Sequence, residues 1–361
     1  MGYIQNINAF YFRNFDNFSC EFSKNCNVLF GYNGSGKTNI LEAISLLSKG
    51  RGIRKDKLLN IIKRNHKKFI INANFRSNDI VYKLTAETHE SNEKILKKIL
   101  VNDESSKDML ENISGLSPYL YFMPETERLF LSSPTKRRNF IDLFVYSNNH
   151  KYIKIINDYN RNIVERSKLL KNNMYDKIWL NKIEENISRL GIEIYLAREK
   201  QLDILIDNLN YFLKSFQLPY SLTVNLKDSF FNNKIKQDVY ASLLSNNRDF
   251  DTMVGGSKIG PHKSDYLFSV NSEYLVSQLS TGQQKTIILL IYLSQCKYLN
   301  EILKIKPILL LDEICSHLDE LNRKILLTLV ESFDLQIFMT GTTKNLFSFL
   351  STNTNFCNIT A

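Results

Sequence analysis

Nothing in this chain is apolar for long enough to cross a bilayer. The longest runs, near residues 287–293 and Ile308–Leu311, fall far short of the ~20 residues that a spanning helix needs. The start, Met1-Gly2-Tyr3-Ile4-Gln5-Asn6, has no basic stretch leading into an apolar one and no Ser or Thr at its sixth position. Neither a secretory leader nor a myristoyl anchor is expected, and no membrane partner. Five cysteines stand without a C-x-x-C pair or a metal-ligand spacing. Their odd number argues against a disulfide framework and for a reducing cytoplasm. Internal repeats and long low-complexity linkers are missing too.

What is present is ordinary in bulk. The 361 residues are 43% hydrophobic and 23% charged, a composition that buries a substantial core in about two domains. Lys and Arg number 47 against 37 Asp and Glu, a net charge of +10. That excess favours an anionic partner, nucleic acid first.

One stretch organises the rest. Gly31-Tyr32-Asn33-Gly34-Ser35-Gly36-Lys37-Thr38 is G-x-x-x-x-G-K-T, the phosphate-binding loop pattern. An apolar run at 27–30 reads as a buried strand ahead of it. Ile40, Leu41, Ile44 and Leu47 follow at helical spacing. Strand, glycine turn and helix start are what anion binding requires, because the helix N-terminus points its N–H groups and its dipole at the phosphates. Lys37 is expected to neutralise β/γ-phosphate charge, and the Thr38 hydroxyl to sit on Mg²⁺.

A strand pair over 4–22 precedes this loop, and an antiparallel meander over 69–101 follows it, with an apolar strand at Tyr119–Met123 stopped by Pro124. Between them, residues 49–68 hold nine basic residues against Asp56 alone. Lys49, Arg51 and Arg54 there are candidate phosphodiester contacts. From Pro134 the pattern turns helical. Ile153, Ile156, Asn160, Ile163 and Leu170 form one stripe. Ile183, Ile187, Leu190, Ile194 and Ala197 form another, continued after a one-residue phase shift by Leu202, Leu205, Leu209, Phe212 and Phe216. These predict a packed helical pair or short coiled coil. Lys136, Arg137 and Arg138 at its start form a second candidate basic surface.

The second half supplies the partners of the phosphate loop. Leu279-Ser280-Thr281-Gly282-Gln283 is L-S-x-G-Q ahead of a helix, a second N-terminus able to meet phosphate. Since the loop at Lys37 already has its own helix, Ser280, Gly282 and Gln283 are expected to grip nucleotide held by another copy of the chain. ATP would then join two identical subunits. Ile308–Leu311 is a continuous apolar strand that delivers Asp312 to Mg²⁺ and places Glu313 to orient or deprotonate the attacking water. Ser316-His317-Leu318-Asp319 then has the spacing of a D-loop. The strand at 336–340 reads as the last one. It ends in Thr340-Gly341-Thr342-Thr343, with no switch histidine, so slow hydrolysis is expected.

Asn14-Phe15 with G-x-N-G-S-G-K-T-N-x-L-E-A-I resembles the head domains of SMC-like ATPases. Four further features narrow the resemblance to the RecF family. They are K-G-R-G-I-R at 49–54, M-P-E-T-E-R-L-F followed by P-x-x-R-R-x-F-I-D, Tyr159 with E-R-S-K-L-L at 165–170, and G-P-H-K-S-D-Y at 260–266. The likeness covers essentially the whole chain. It implies an α/β fold, an ABC-type (SMC-like) P-loop ATPase head at 1–132 and 251–361 with an inserted helical arm domain at 133–250. It implies an ATP- and Mg²⁺-dependent homodimer that clamps gapped or junction DNA, works with RecO and RecR, and hydrolyses ATP slowly to reset. By the same resemblance Glu125 stands at the Q-loop position near the metal, and Asp319 in the D-loop. His317 departs from the family where an acid is expected, and Glu313 where Asp is frequent. Another SMC-like ATPase, nuclease-associated or defensive, is the alternative. A transporter subunit is disfavoured, because phosphate loop and signature lie about twice the usual distance apart.

Overall fold

The structure is a computed structural model that describes residues 2–91, 94–172, 176–231, 236–316, 318–351 and 353–360. The chain divides into two compact units, Met1–Glu127 with Lys285–Ala361, and Arg128–Gln284. The second unit is larger than the insert expected at 133–250. Strand Asp265–Val270 pairs along its length with Leu222–Lys227, so ladder hydrogen bonds draw the segment 251–284 in with the helices.

The first unit contains two five-stranded sheets. The antiparallel one has the spatial order Phe15–Glu21, Gly2–Phe12, Ile70–Ser77, Ile80–Ser91, Lys94–Val101. Ile7, Ala9 and Phe12, then Ile71, Ala73 and Phe75, turn alternate side chains into one core, which is why this region reads as period two in the sequence. Ile40, Leu41 and Ile44 of helix Lys37–Leu46 join that core. Each such side chain, fully buried, adds about 1.5–3 kcal/mol of transfer free energy.

The other sheet is parallel, in the order Asn355–Asn358, Cys26–Phe30, Gln336–Gly341, Ile308–Leu311, Tyr119–Phe122. Its central strands are buried at every position, hence their unbroken apolar runs. Gln336–Gly341 is not the last strand, as the sequence suggests. Asn355–Asn358 adds an edge strand, too short and too polar to be seen by pattern. Gln336 stitches the two sheets together. Its side-chain amide accepts from Ile4 N at 2.8 Å and donates to Ile4 O at 2.7 Å and Ser23 O at 2.9 Å.

The second unit packs helices Pro134–Asn148, Tyr152–Lys171 and the 39-residue Lys177–Ser215 beside the strands Leu222–Lys227, Asp265–Val270 and Tyr274–Leu275. In Tyr152–Lys171 the buried residues are Tyr152, Tyr159, Arg166 and Leu170; of the expected stripe only Leu170 is among them, with Ile156 and Ile163 half-buried. Ile153 is 36% exposed. The inward positions carry polar-tipped residues, so counting apolar side chains selects a neighbouring stripe. In the long helix Ile183, Ile187, Leu190 and Ile194 are buried as expected, and so are Leu202, Leu205, Leu209 and Phe212. The apparent phase shift is where Arg198 and Gln201 take core positions. The helical period itself is unbroken. Among the described residues no helix is long and apolar enough to cross a membrane.

Candidate nucleotide site

Register brings the first-unit motifs together. In the parallel sheet Leu311 pairs with Met339, and Gly341 with Phe30. The chain therefore leaves the sheet at Gly31 and at Asp312 on the same carboxyl edge, where α/β sheets bind ligands. Gly36 is the N-cap of helix Lys37–Leu46 and is left-handed, with φ 98°. A Cβ there would lie 2.4 Å from the Phe15 ring and about as close to the Asn14 amide as a hydrogen bond, which explains why Asn14-Phe15 accompanies this loop. Asn39 Nδ2 donates to Asn14 Oδ1 at 2.7 Å, fixing that turn against the helix.

Inside the loop, Lys37 is buried and its ammonium donates to the carbonyls of Gly31 and Tyr32, both at 2.8 Å. Desolvation pulls its pKa down, opposed by the charges of Glu313 and Asp312. Thr38 Oγ1 lies 2.9 Å from both carboxylate oxygens of Asp312. Burial raises the pKa of Asp312, against the hydrogen bonds from Thr340 and Thr38 and the charge of Arg54, while the charge of Glu125 raises it further. Ser35 Oγ is buried without a hydrogen-bond partner, and Tyr32, Asn33 and Gly34 are exposed. An orphaned hydroxyl among first-turn N–H groups is a vacancy in hydrogen bonding that phosphate oxygens would fill. Thr38 and Asp312 offer two oxygen ligands, the number Mg²⁺ commonly takes from protein while phosphates and water complete its shell. Both groups therefore fit.

Thr340 was not singled out from the sequence. Its hydroxyl donates to Asp312 Oδ1 at 2.7 Å and accepts from Glu313 N at 2.8 Å. Glu313 has φ 51°, a strained conformation for a side chain of its size. One hydroxyl thus holds both the Asp312 carboxylate and the backbone of the neighbouring acid. The threonines at 342 and 343, also noted in the sequence, are exposed. Glu42 was missed as well. It is fully buried and receives a bidentate pair from Arg13, Nε to Oε2 and Nη2 to Oε1, both at 2.7 Å. An acid flanked by Leu41 and Ala43 in an otherwise apolar helix was the available signal, since a buried carboxylate demands a cation.

The candidate DNA residues divide. Arg51 is exposed and, among the described residues, forms no hydrogen bond or ion pair. Arg54 turns inward to Asn39 Oδ1 at 2.7 Å and to Glu42 Oε2 at 3.5 Å, and Lys49 pairs with Glu111. In the second unit Lys136 is exposed, whereas Arg137 is only 8% exposed. Its guanidinium forks onto Asp265 at 2.7 and 2.8 Å, and Arg138 donates to Ser264 O at 2.6 Å and Thr135 Oγ1 at 2.9 Å. Arg137 is therefore committed as a fastener to Asp265 rather than offered at the surface. A fork of charge-assisted hydrogen bonds holds it inside, and no pattern in the sequence separates that from an exposed basic run.

Ser280 opens its helix within a reciprocal cap. Gln283 N donates to Ser280 Oγ at 3.3 Å, and Ser280 N to Gln283 Oε1 at 3.1 Å. Thr281, Gly282 and Gln283 are exposed, and a Cβ at Gly282 would meet nothing within 4 Å. Two residues on, Lys285 is buried, pairing with Glu127 at 2.7 Å and donating to Ser316 O at 2.8 Å. Asp319 caps helix Glu320–Ser332 by accepting from Asn322 N at 2.7 Å. His317 lies outside the described residues.

Comparison with known proteins bears on this geometry. The family model described as RecF/RecN/SMC N terminal domain matches residues 3–359. The DNA replication and repair protein RecF of Rickettsia conorii is 31% identical over 344 residues, 94% of each chain. Two solved structures of the recombination mediator protein RecF in the RecFOR pathway superpose closely. The form named RecF-ATPrS has a TM-score of 0.82 at 27% identity, covering 97% of this chain and 94% of its own. The RecF-ATP form has 0.81 at 28%, covering 95% and 92%.

Proposed function

This chain belongs to the RecF family, within the RecF/RecN/SMC group, and from that premise we propose that it is an ATP-operated DNA clamp of replication and repair. The observation that carries the reading is the pairing of two phosphate-ready helix starts in one chain. One, at Lys37, stands over Thr38 and Asp312. The other, at Ser280 and Gly282, is exposed and capped. A single nucleotide needs both chemistries, so two copies would complete each other's sites.

In this mechanism Lys37 leaves the loop carbonyls to bind the β/γ-phosphates, and the N–H groups and Ser35 hydroxyl bind the oxygens between. Thr38 and Asp312, with Glu125 nearby, would hold Mg²⁺, which supplies charge neutralisation when bound. Glu313 orients and deprotonates the attacking water, with Thr340 setting its backbone. Asp319 positions the D-loop. Ser280, Gly282 and Gln283 of the second copy close over the γ-phosphate, and hydrolysis releases the pair. One solved relative is named RecF-ATP and both are named in a RecFOR pathway, which supports ATP as ligand and RecO and RecR as partners; gapped or junction DNA and the cytoplasm complete the proposed setting.

Sedimentation velocity with and without ATP and Mg²⁺ tests the reading. Dimers should form only with nucleotide, vanish in Lys37→Met and Ser280→Arg, and persist longer in Glu313→Gln. Dimers indifferent to ATP and to these changes would overturn it.

A further inference from the structure

Two of the five cysteines are placed together by the fold. Cys20 lies on the edge strand Phe15–Glu21 of the antiparallel sheet, and Cys357 on the edge strand Asn355–Asn358 of the parallel one. They are 337 positions apart in the chain, yet their sulfurs are 3.3 Å from each other. Both are half-buried, within reach of a small solute. The other three are buried, and burial pushes the thiols of Cys26 and Cys315 up to about 12 and that of Cys296 higher still, so they stay protonated and inert.

The pair is also polarised. The Cys357 sulfur accepts from Cys20 S–H and from Asn355 Nδ2 at 3.5 Å, contacts that favour its thiolate. We propose that Cys20 and Cys357 are an oxidant-reactive thiol pair that closes to a disulfide. The Cys357 thiolate attacks one oxygen of a peroxide. An S–O bond forms as the O–O bond breaks, giving a sulfenic acid and, from hydrogen peroxide, hydroxide that takes a proton from solvent to become water. The Cys20 sulfur then attacks the sulfenic sulfur. An S–S bond forms, the hydroxyl leaves as water with the Cys20 proton, and the two thiols have together given two electrons to one peroxide.

The location gives the bond a consequence. Just past Cys357, Ile359 N donates to Phe30 O at 2.7 Å, immediately ahead of Gly31. On the other side, Phe15 of the Cys20 strand is the ring packed against Gly36. The disulfide would join the two segments that bound the phosphate loop and hold a four-residue edge strand in place. This inference stands on geometry independent of the clamp reading.

The full chain is treated with hydrogen peroxide, blocked with N-ethylmaleimide and mapped by mass spectrometry without reduction. The expected product is a Cys20–Cys357 linked peptide lighter by two hydrogens, reversed by dithiothreitol. Because the link closes a long loop, the thermal midpoint should rise by roughly 5 °C on oxidation. Cys20→Ser should show no rise and should carry Cys357 further oxidised. Oxidised wild-type chain in which both residues are maleimide-labelled, or are linked to other cysteines or between molecules, would overturn the proposal. The wild-type map decides even if the variant fails to fold.

Discussion

Asp312 and Asp142 are both acids held in polar clusters, and they are held differently. Asp312 accepts only hydroxyls, from Thr38 and Thr340. Asp142, in the second unit, receives the fork of fully buried Arg198, at 2.8 and 2.9 Å, and the Tyr152 hydroxyl at 2.7 Å. Nearby in that unit Arg166, 1% exposed, reaches Glu184 at 2.8 Å, Asp251 at 2.7 Å and Leu244 O at 2.7 Å. In the first unit Asp312 feels the charges of Arg54 and Lys37 yet forms no ion pair among the described residues, and it stands beside the strained backbone of Glu313. The second answers the carboxylates of Asp142, Glu184 and Asp251 with buried guanidinium groups. Motifs of similar appearance thus serve opposite ends. P-x-x-R-R-x-F-I-D and G-P-H-K-S-D-Y fasten to one another through Arg137–Asp265 and Arg138–Ser264, whereas the phosphate loop and Asp312 await a ligand.

The comparison can be broken most severely at Arg166. Arg166→Met leaves buried Asp251 without its guanidinium and Glu184 with Arg248 alone, and should cost about 3–5 kcal/mol by denaturant unfolding. A cost below about 1 kcal/mol would mean that the second unit does not depend on its charge pairing. His262 tests the same core through pH. Tyr159 donates to its Nδ1 at 2.7 Å, its Nε2 donates to Ser257 O at 3.1 Å, and burial pushes its pKa down to about 4. Below pH ~6.5 the unfolded chain takes up a proton that the folded one refuses, so stability falls as pH drops toward 4, by roughly 3 kcal/mol at full span. His262→Gln should flatten that slope in urea titrations across the range.

In the first unit the sharpest probe is Thr340→Val, nearly isosteric. It should retain nucleotide binding and lower single-turnover hydrolysis by about 10–100-fold, the usual scale for a residue that orients a metal ligand. Unchanged hydrolysis would reduce Thr340 to a core residue. The mildest effect is expected at the surface. Arg51→Ala should weaken DNA binding a few-fold and lower the salt slope by about one. Arg137→Ala should leave the slope alone and lower stability instead, and the reverse outcome would reassign both.

How much of this was legible follows from the kind of signal. The phosphate loop, Asp312–Glu313 and L-S-x-G-Q are local strings whose chemistry requires adjacent residues, so they could be read directly. Thr340 and Glu42 act on residues 28 and 29 positions away. Both stand inside strings that the sequence displays, Glu42 in N-x-L-E-A-I and Thr340 in T-G-T-T, yet neither string shows the distant partner that gives the residue its role. The edge strand Asn355–Asn358 had too few apolar side chains to register. The buried stripe of Tyr152–Lys171 was misplaced because tyrosine and arginine, not isoleucine, point inward there.

By itself the sequence determined that the chain has a phosphate loop with its own strand and helix, a second helix start of matching chemistry, and a helical segment interrupting the ATPase plan. These follow from short-range rules of backbone freedom, periodicity and charge. Which arginines face water, which threonine holds Asp312 and the backbone of Glu313, and which two cysteines meet were decided only by the tertiary structure. Sheet register and helix packing set those distances, and they bring together residues that no spacing along the chain connects.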